Sequence, residues 1–393
     1  MSPDPSKTID VLIVDDEKQI HTLLTRMLRS QGLKQLYCAY SASEALRVLR
    51  SRPVNFLITD WIMPQMTGIE LIRIIRKDPD LFNIPIMVLT GLCSAEGVIC
   101  AMEEGADGYV LKPFSARKIQ ETIHQIREKH ANCLQKAIDA MASLKLQGKF
   151  QDAVAVGRRI LETQRDPNAL FLLAECLGEL GQYKDAMSVL EETARAEKCG
   201  RSNNLLGKLH MKQGNHEQGL TRLKLASEQC DLNLARKVDL AQAYFELGED
   251  AKAESVIGDI LKSKPTNLIM ADLGNVYLAH GDLEKAASFL KDGATPTPET
   301  VHVFNNYAIA LRRRGMFRES EDIYKKCITL IPDSYALYFN LGMLYNQTKA
   351  FGKAAKMFEE TLRINPACEP ASVLLNVARE KKKAKAAASP SLS

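Results

Sequence analysis

Five residues that could handle a phosphoryl group or a metal ion follow short apolar runs in the first third of the chain. They are Asp15, Asp16, Asp60, Thr90 and Lys112. Carboxylates that converge in one crevice repel one another and raise each other's pKa unless a cation lies among them. Mg²⁺ suits such a set because it prefers hard oxygen ligands, usually one or two carboxylates with phosphate oxygens. An ammonium, a hydroxyl and a divalent cation beside a carboxylate predict a site that accepts a phosphoryl group.

The surrounding sequence alternates β-rich runs with amphipathic helical stretches. The predicted strands cover 9–14, 36–40, 54–59, 84–90 and 108–112, and the predicted helices lie near 17–30, 42–51, 67–77, 95–104 and 115–130. This order predicts an α/β doubly wound fold, with a five-stranded parallel sheet covered by helices on both faces. Function in such sheets collects at the carboxyl ends of the strands, which is where the five residues fall.

Four motifs carry a family resemblance across residues 8–130. The segments VLIVDDE, TDWIMPQMTG, VLTG and GYVLKPF resemble the receiver domain of two-component response regulators, close to the stand-alone chemotaxis type. The resemblance implies that Asp60 accepts a phosphoryl group from a histidine kinase or phosphotransfer protein. It also implies Mg²⁺ as cofactor, bound by Asp16, Asp60 and the backbone carbonyl of Ile62, with Asp15 acting directly or through water.

The same resemblance assigns roles to residues around the acceptor. It implies that Lys112 pairs with the acyl phosphate, that Thr90 hydrogen-bonds it, and that Tyr109 turns inward as the switch aromatic. It further implies a cis Lys112–Pro113 peptide, and an X–Pro bond adopts cis at a cost of only about 0.5–1 kcal/mol.

Each of these residues alone has an ordinary explanation. An aspartate after a strand is commonly a helix N-cap, Tyr109 a half-buried strand residue and Thr90 a turn former. The combination favours a working receiver, because degenerate receivers lose Asp60 or Lys112. Ile62 and Leu92, two residues after Asp60 and Thr90, are apolar and cannot position an attacking water. We therefore expect slow self-dephosphorylation, with a signal that lasts minutes rather than seconds.

Beyond residue 130 the sequence becomes helical and repeats with a period of about 34 residues. Glycines mark the repeat at 148, 181, 214, 248, 281 and 315, and Lys349 fills the next slot. A small residue follows five positions after each slot, and prolines at 265, 298, 332 and 366 each lie 17 residues after one. Such a period predicts an all-α helical-hairpin solenoid, with glycine in each turn and small residues where two helices approach closely.

The repeat resembles the tetratricopeptide repeat, with about seven units covering 134–366. The best unit is YALYFNLGMLYNQTKAFGKAAKMFEETLRINP, residues 335–366. We place the repeat domain at 131–378, closed by a C-terminal capping helix, and a basic, disordered tail at 379–393. The receiver then occupies 1–130.

The resemblance implies a superhelix whose concave face, lined by the first helix of each repeat, binds a peptide or a partner helix. The concave candidates by repeat position are Glu175, Asn204, Lys208, Gln242, Asn275, Asn305, Ile309, Arg312, Phe339 and Met343. A solvated helix face is the ordinary alternative for any one of them. The family's two-carboxylate clamp is incomplete here, so a C-terminal acidic peptide is not the favoured ligand.

Composition limits the classes of partner and compartment. The net charge of +4 arises in the last fifteen residues, and residues 1–130 hold sixteen basic and sixteen acidic residues. Phosphate binding needs clustered positive charge, so an RNA-binding helical array is disfavoured. The nine cysteines are spread singly, which favours reduced, buried thiols. We find no apolar run long enough for a membrane span and expect a cytoplasmic protein.

We therefore expect a phosphorylation-dependent response regulator whose output is protein binding, and not an enzyme beyond its own phosphoryl chemistry. A structural scaffold, in which the repeats bind constitutively and the receiver only docks, is the alternative. No proline or glycine lies between Pro113 and Gly148, so a helical connection replaces a flexible tether. The connection could transmit a phosphorylation signal or merely join two modules. Oligomeric state stays open, with a homodimer possible.

Overall fold

The chain forms two compact units that divide between Thr266 and Asn267. The computed structural model describes residues 9–91, 101–131, 133–163, 165–197, 199–230 and 233–387. The first unit contains an α/β sheet and the earlier helical hairpins, and the second unit contains the later hairpins. Among the described residues, no helix is both long and apolar enough to cross a membrane.

The predicted five-stranded parallel sheet is confirmed, with strand order β2-β1-β3-β4-β5. The strands are β1 Asp10–Val14, β2 Gln35–Ala39, β3 Phe56–Asp60, β4 Ile86–Thr90 and β5 Gly108–Leu111. The middle strands are almost continuously apolar because helices cover both of their faces. The five carboxyl ends therefore meet at one edge of the sheet.

Four helices are described around the sheet: α1 Lys18–Ser30, α2 Ala42–Ser51, α3 Gly68–Lys77 and α4 Ala116–Ala131. Leu12 and Val14 pack on one side of β1, and Val11 and Ile13 pack on the other, so two apolar cores enclose the sheet. The helix expected near 95–104 falls partly on residues 92–100, which lie outside the described residues. Residues 101–103 are helical.

The helical segment after residue 132 is a series of antiparallel hairpins, as the period predicts. The first unit contains four: Cys133–Leu146 with Phe150–Thr163, Pro167–Glu179 with Tyr183–Glu197, Gly200–Lys212 with His216–Glu228, and Leu234–Glu246 with Asp250–Lys262. The second unit contains three: Asn267–His280 with Leu283–Ala287 and its π-helical continuation Ser288–Gly293, Val301–Arg313 with Phe317–Leu330, and Tyr335–Gln347 with Phe351–Ile364.

The turn and packing positions behave as the repeat predicts. Every glycine of the 34-residue series has a left-handed backbone, with φ between 71° and 89°. Lys349 adopts the same conformation at φ 58°, although a side chain there is strained. The small residues at the helix crossings, including Ala153, Ala253 and Ala354, are fully buried. A Cβ on Gly342 would lie 2.7 Å from the Phe358 ring, so this crossing is too close for any other residue.

Two boundaries drawn from the sequence need correction. The last helix runs from Glu369 to Ala387, so residues 379–387 belong to the capping helix and not to a disordered tail. Alanine and lysine favour helix strongly, and Arg379 pairs with Glu359 of the preceding helix at 2.9 Å. The change of fold near residue 130 is also not where the compact units divide, because the receiver packs against the first hairpins within one unit.

Candidate functional site

Three carboxylates meet at the carboxyl edge of the sheet. Asp15 and Asp16 directly follow β1, and Asp60 is the last residue of β3, its neighbour in the sheet. Oxygen atoms of the three side chains lie within 4.8 Å of one another. Asp15 is fully buried, Asp60 is partly buried and Asp16 is exposed. The crevice therefore opens to solvent on the Asp16 side.

Lys112, which follows β5, brings a positive charge to this group. Its Nζ lies 3.0 Å from Oδ2 of Asp15 and 3.1 Å from Oδ1 of Asp60. Burial alone would lower the pKa of Lys112, but hydrogen bonding and attraction to Asp15 and Asp60 outweigh burial and raise it. Burial raises the pKa of Asp60 even though Lys112 opposes the change. The cluster is therefore short of positive charge, and its hard oxygen donors fit Mg²⁺.

The backbone after Asp60 packs closely against Gly68, which also donates a hydrogen bond to it. The Trp61 N–H donates to Oδ1 of Asp60 at 2.9 Å, and the Gly68 N–H donates to the Trp61 carbonyl at 2.9 Å. A Cβ on Gly68 would lie 2.0 Å from the carbonyl oxygen of Asp60, so no other residue fits. Sequence reasoning quoted this glycine within TDWIMPQMTG but assigned it no role. The sequence sign of this role was a glycine eight residues after Asp60, at the start of the following helix.

Sequence reasoning also missed His21, in α1. Its Nε2 lies 2.7 Å from the carbonyl oxygen of Asp15, so the Nε2–H donates to that carbonyl. The ring is buried and lies 4.5 Å from the Tyr40 ring, centroid to centroid. His21 therefore holds the backbone that carries the two leading carboxylates. A histidine six residues after Asp15, on the inner face of α1, was the only sign in the sequence.

The remaining receiver residues surround the same crevice. Thr90 ends β4 and is buried, and the Lys112–Pro113 peptide is cis, as the resemblance implied. The Ile62 side chain is 57% exposed. The Tyr109 side chain is 39% exposed in this structure, and its inward turn as the switch aromatic stays a prediction. Alternate residues of a strand face opposite sides, and in the edge strand β5 Val110 takes the buried side.

In the first unit, the predicted concave residues bond to neighbouring helices. Asn204 Nδ2 donates to Asp239 at 2.8 Å, and Lys208 pairs with the same carboxylate at 2.7 Å. Lys145 pairs with Glu175 at 2.5 Å, joining the first two hairpins. Gln242 instead donates to Glu246 of its own helix, at 2.9 Å.

In the second unit, polar side chains again link successive first helices. The bonds join Asn306 to Asn275 at 3.4 Å, Asn340 to Asn305 at 2.9 Å, and Arg312 to Gln347 at 3.2 Å. Phe339, Ile309 and Met343 are partly buried and pack on the apolar core. The Phe339 ring lies 5.9 Å from the Phe358 ring, so it contributes to its own hairpin. In each unit, hydrogen bonds and ion pairs thus join the first helices of successive hairpins, and we call this set of bonds the polar ladder.

Comparison with protein-family models divides the chain in the same way as the fold. Residues 11–124 match the response regulator receiver domain. Residues 238–299 and 335–368 match the tetratricopeptide repeat, and residues 146–226 match subunit 3 of the anaphase-promoting complex, or cyclosome.

Two curated relatives match the receiver portion of the chain. Chemotaxis protein CheY of Pseudomonas aeruginosa is 38% identical over 119 residues, which is 30% of this chain and 96% of that protein. Chemotaxis protein CheY-3 of Vibrio cholerae is 34% identical over 124 residues, 32% of this chain and 95% of that protein. A crystal structure of a response regulator receiver domain protein from Clostridium thermocellum is 29% identical over 31% of this chain and 98% of that one, with a TM-score of 0.29.

The chain therefore belongs to the response regulator receiver family. Within that family, it joins the receiver to tetratricopeptide repeats. Receivers and these repeats are signalling and interaction modules, and the comparisons indicate no catalytic domain.

Proposed function

We propose that Asp60 accepts a phosphoryl group from a histidine kinase or phosphotransfer protein and that this modification controls protein binding by the repeats. The observation that carries the proposal is the carboxylate cluster of Asp15, Asp16 and Asp60, with oxygens within 4.8 Å. Lys112 Nζ stands 3.1 Å from Asp60 in the same crevice. Phosphoryl transfer depends mainly on positioning and charge neutralisation, and these groups can supply both.

The chemistry follows from the charges at the crevice. One carboxylate oxygen of Asp60 attacks the phosphorus of a phosphohistidine, and an acyl phosphate forms. The phosphorus–nitrogen bond breaks, and its electron pair returns to the donor imidazole. Lys112 then pairs with the new phosphoryl oxygens, and the Thr90 hydroxyl donates a hydrogen bond to one of them.

The same residues would hold a divalent cation. Asp15, Asp16, Asp60 and the backbone carbonyl of Ile62 are the proposed Mg²⁺ ligands, and bound Mg²⁺ would neutralise phosphoryl oxygens. The raised pKa of Asp60 supports this assignment, because burial disfavours its ionised form until positive charge arrives.

Trp61 offers a direct test of this part of the proposal. Its indole is buried, and its backbone N–H donates to Asp60. We expect Mg²⁺ with beryllofluoride, an acyl-phosphate mimic, to change Trp61 emission in the wild type and not in Asp60→Ala. Unchanged emission in the wild type would count against the phosphoryl-accepting role.

We further propose that phospho-Asp60 is long-lived. The apolar, exposed Ile62 side chain cannot orient water toward the acyl phosphate. Leu92, the second apolar position, lies outside the described residues. We expect a half-life of minutes for the purified protein and a faster loss in Ile62→Asn, measured by phosphate release. A wild-type half-life of a few seconds would contradict the assignment.

The proposed output is a protein or peptide bound along the polar ladder of the repeats. The proposed contacts are Asn204, Lys208, Gln242, Asn275, Asn305, Arg312 and Phe339. Most already bond to a neighbouring helix, so a ligand must exchange those bonds for its own. Affinity purification with beryllofluoride-treated wild type and with Asp60→Ala identifies partners that bind in one state only.

A constitutive scaffold is the second candidate. The inclusion of the receiver and the first four hairpins in one compact unit favours it, because such packing can be purely structural. A partner that binds wild type and Asp60→Ala equally would support the scaffold.

A further inference from the structure

A second pair of carboxylates lies where the receiver meets the repeats, within the first compact unit. The Glu103 carboxylate accepts hydrogen bonds from the backbone N–H groups of Gly200 at 2.9 Å and Arg201 at 3.3 Å. Gly200 begins the first helix of the third hairpin, whose N-cap residue Cys199 makes no capping bond of its own. The first N–H groups of a helix lack partners inside the helix. Glu103 therefore caps this helix from 97 residues away in the chain.

Glu104, the next residue, is bound by guanidinium and amide groups from both modules. Arg73 Nε of the receiver lies 2.6 Å away, and Asn233 Nδ2 of the repeats lies 2.8 Å away. Arg236 Nη2 reaches Glu103 at 2.6 Å and Glu104 at 3.3 Å. Arg236 is only 3% exposed. The repeats thus present donors that fit two adjacent carboxylates.

Glu104 is ionised at neutral pH. Burial alone would raise the pKa of Glu104, but Arg73, Arg236 and Arg201 outweigh burial and lower it to about 2. Arg201 is itself fixed, because its guanidinium carbon lies 3.6 Å from the centre of the Phe171 ring and its Nη1 donates to the Glu103 carbonyl at 3.0 Å. Both sides of the contact are therefore preorganised.

The contact is mainly ionic and polar, which suits it to separation of the receiver glutamates from the repeats. Desolvation of buried ions offsets much of their mutual attraction, so such a cluster adds little net stability. Leu71 and Ile75 belong to an apolar core on this side of the sheet. Among the described repeat residues, Cys230 is the one buried side chain that joins this core. Polar interfaces between modules of one chain allow relative movement. A small displacement of the two carboxylates is enough to separate them from their donors.

The residues on either side of the two glutamates are held by the receiver. Ala101 is buried in the receiver core, and Arg76 Nε donates to the Gly105 carbonyl at 2.9 Å. In the chain the two glutamates lie between Thr90 and Lys112, and the Lys112 N–H donates to the Thr90 carbonyl at 2.7 Å. We expect a shift of Thr90 and Lys112 on phosphorylation to move the nearby residues that carry Glu103 and Glu104.

We infer that the third and fourth hairpins carry a carboxylate-binding surface, made by the Gly200 and Arg201 N–H groups, Asn233 and Arg236, whose partner is the receiver's own Glu103–Glu104 pair. The pair occupies this surface in the unphosphorylated chain and leaves it when Asp60 is phosphorylated. This inference rests on the proposed function and deepens it, because it names the contact through which the acceptor controls the repeats.

Hydrogen exchange of the full-length protein, followed by mass spectrometry over residues 199–204, tests the inference. The Gly200 and Arg201 amides have no partner within their helix, so their protection depends on Glu103. We expect these amides to exchange about tenfold faster after Mg²⁺ and beryllofluoride are added, and no change in Asp60→Ala. Glu103→Gln should show fast exchange without the mimic.

Two further variants keep the result interpretable. Arg236→Gln removes the repeat side of the contact and should also show fast exchange, which covers the case in which Glu103→Gln misfolds. Lys212→Gln is the matched control, because Lys212 is exposed and lies at the other end of the helix that Gly200 begins. It should leave the two amides protected.

Trp61 emission recorded on the same samples separates the two levels of the proposal. If emission reports the mimic at Asp60 and the amides stay protected, the contact is permanent and the inference is wrong, while the phosphoryl-accepting role stands. If neither emission nor exchange changes, the phosphoryl-accepting role fails and the inference fails with it.

Discussion

The receiver carries two carboxylate clusters of opposite character. At the edge of the sheet, Asp15 and Asp60 share the ammonium of Lys112, and burial raises the pKa of Asp60. Against the repeats, arginines surround Glu104 and lower its pKa to about 2. The first cluster lacks positive charge and is open to solvent, whereas the second is neutralised and enclosed. Similar acidic residues therefore form the proposed site for a cation and a phosphoryl group in one place and a contact between two modules in the other.

We expect the largest effect from a substitution that removes the proposed acceptor from the first cluster. Asp60→Asn should abolish phosphoryl incorporation from acetyl phosphate, because an amide oxygen is too weak a nucleophile to form the acyl phosphate. Incorporation is measured by gel mobility on a phosphate-binding matrix. Asp80→Asn, an exposed change away from the cluster, is the control and should leave incorporation unchanged. Incorporation into Asp60→Asn would place the acceptor elsewhere.

A smaller effect follows from moving the acceptor without removing it. In Gly68→Ala the new Cβ would meet the Asp60 carbonyl at 2.0 Å, so the loop must shift. A displacement near 1 Å costs on the order of a hundredfold in rate, and we expect that loss in incorporation rate. Gly258→Ala, in a repeat helix, is the matched control, since no described atom lies within 4 Å of its Cβ position. An unchanged rate in Gly68→Ala would show that the acceptor tolerates displacement.

Acid should weaken the second cluster while leaving the fold of the sheet in place. A carboxyl whose folded pKa is lowered stabilises the protein above its unfolded pKa, and that stability is lost as the pH falls toward the folded value. For Glu104, with a pKa lowered from 4.5 to about 2, roughly 2 kcal/mol should be lost between pH 6 and pH 3. The measurement is denaturant unfolding across this range.

Glu104→Gln supplies the reference for that titration. Its unfolding free energy should depend less on pH by the same roughly 2 kcal/mol, because the titrating group is gone. Parallel pH profiles of the two proteins would mean that the arginines do not hold Glu104 ionised.

The smallest effect concerns an ion pair that is neither buried nor at the crevice. Lys208→Gln removes the 2.7 Å pair with Asp239, whose lysine side chain is nearly half exposed. Such pairs contribute about 0–1 kcal/mol, so we expect a stability change below about 1 kcal/mol in thermal unfolding. A larger loss would indicate that the ladder between the repeats is as tightly coupled as the enclosed cluster.

The acceptor cluster was predictable because each residue follows a strand whose apolar run is visible in the sequence. Parallel strands bring their carboxyl ends to one edge, so order along the chain fixed the neighbourhood of Asp15, Asp60 and Lys112. The hairpin turns were predictable for a similar reason, since the period places a left-handed residue in each. Lys349 shows the strength of that rule, because the turn imposes φ 58° even on a lysine.

The enclosed cluster was not predictable. Glu103 and Glu104 have the pattern of ordinary solvated helix charges, and their partners in the repeats lie about a hundred or more residues away. Only the packing of the receiver on the hairpins brings Arg236 to them.

The point at which the compact units divide has a practical consequence for dissecting the protein. A receiver fragment that ends at residue 130 loses Asn233 and Arg236, leaves Glu103 and Glu104 exposed, and leaves the Gly200 helix of the remainder without its cap. A fragment that ends at Thr266 keeps both partners on one polypeptide. Experiments on the isolated receiver would therefore describe a molecule in which Glu103 and Glu104 are already separated from the repeats.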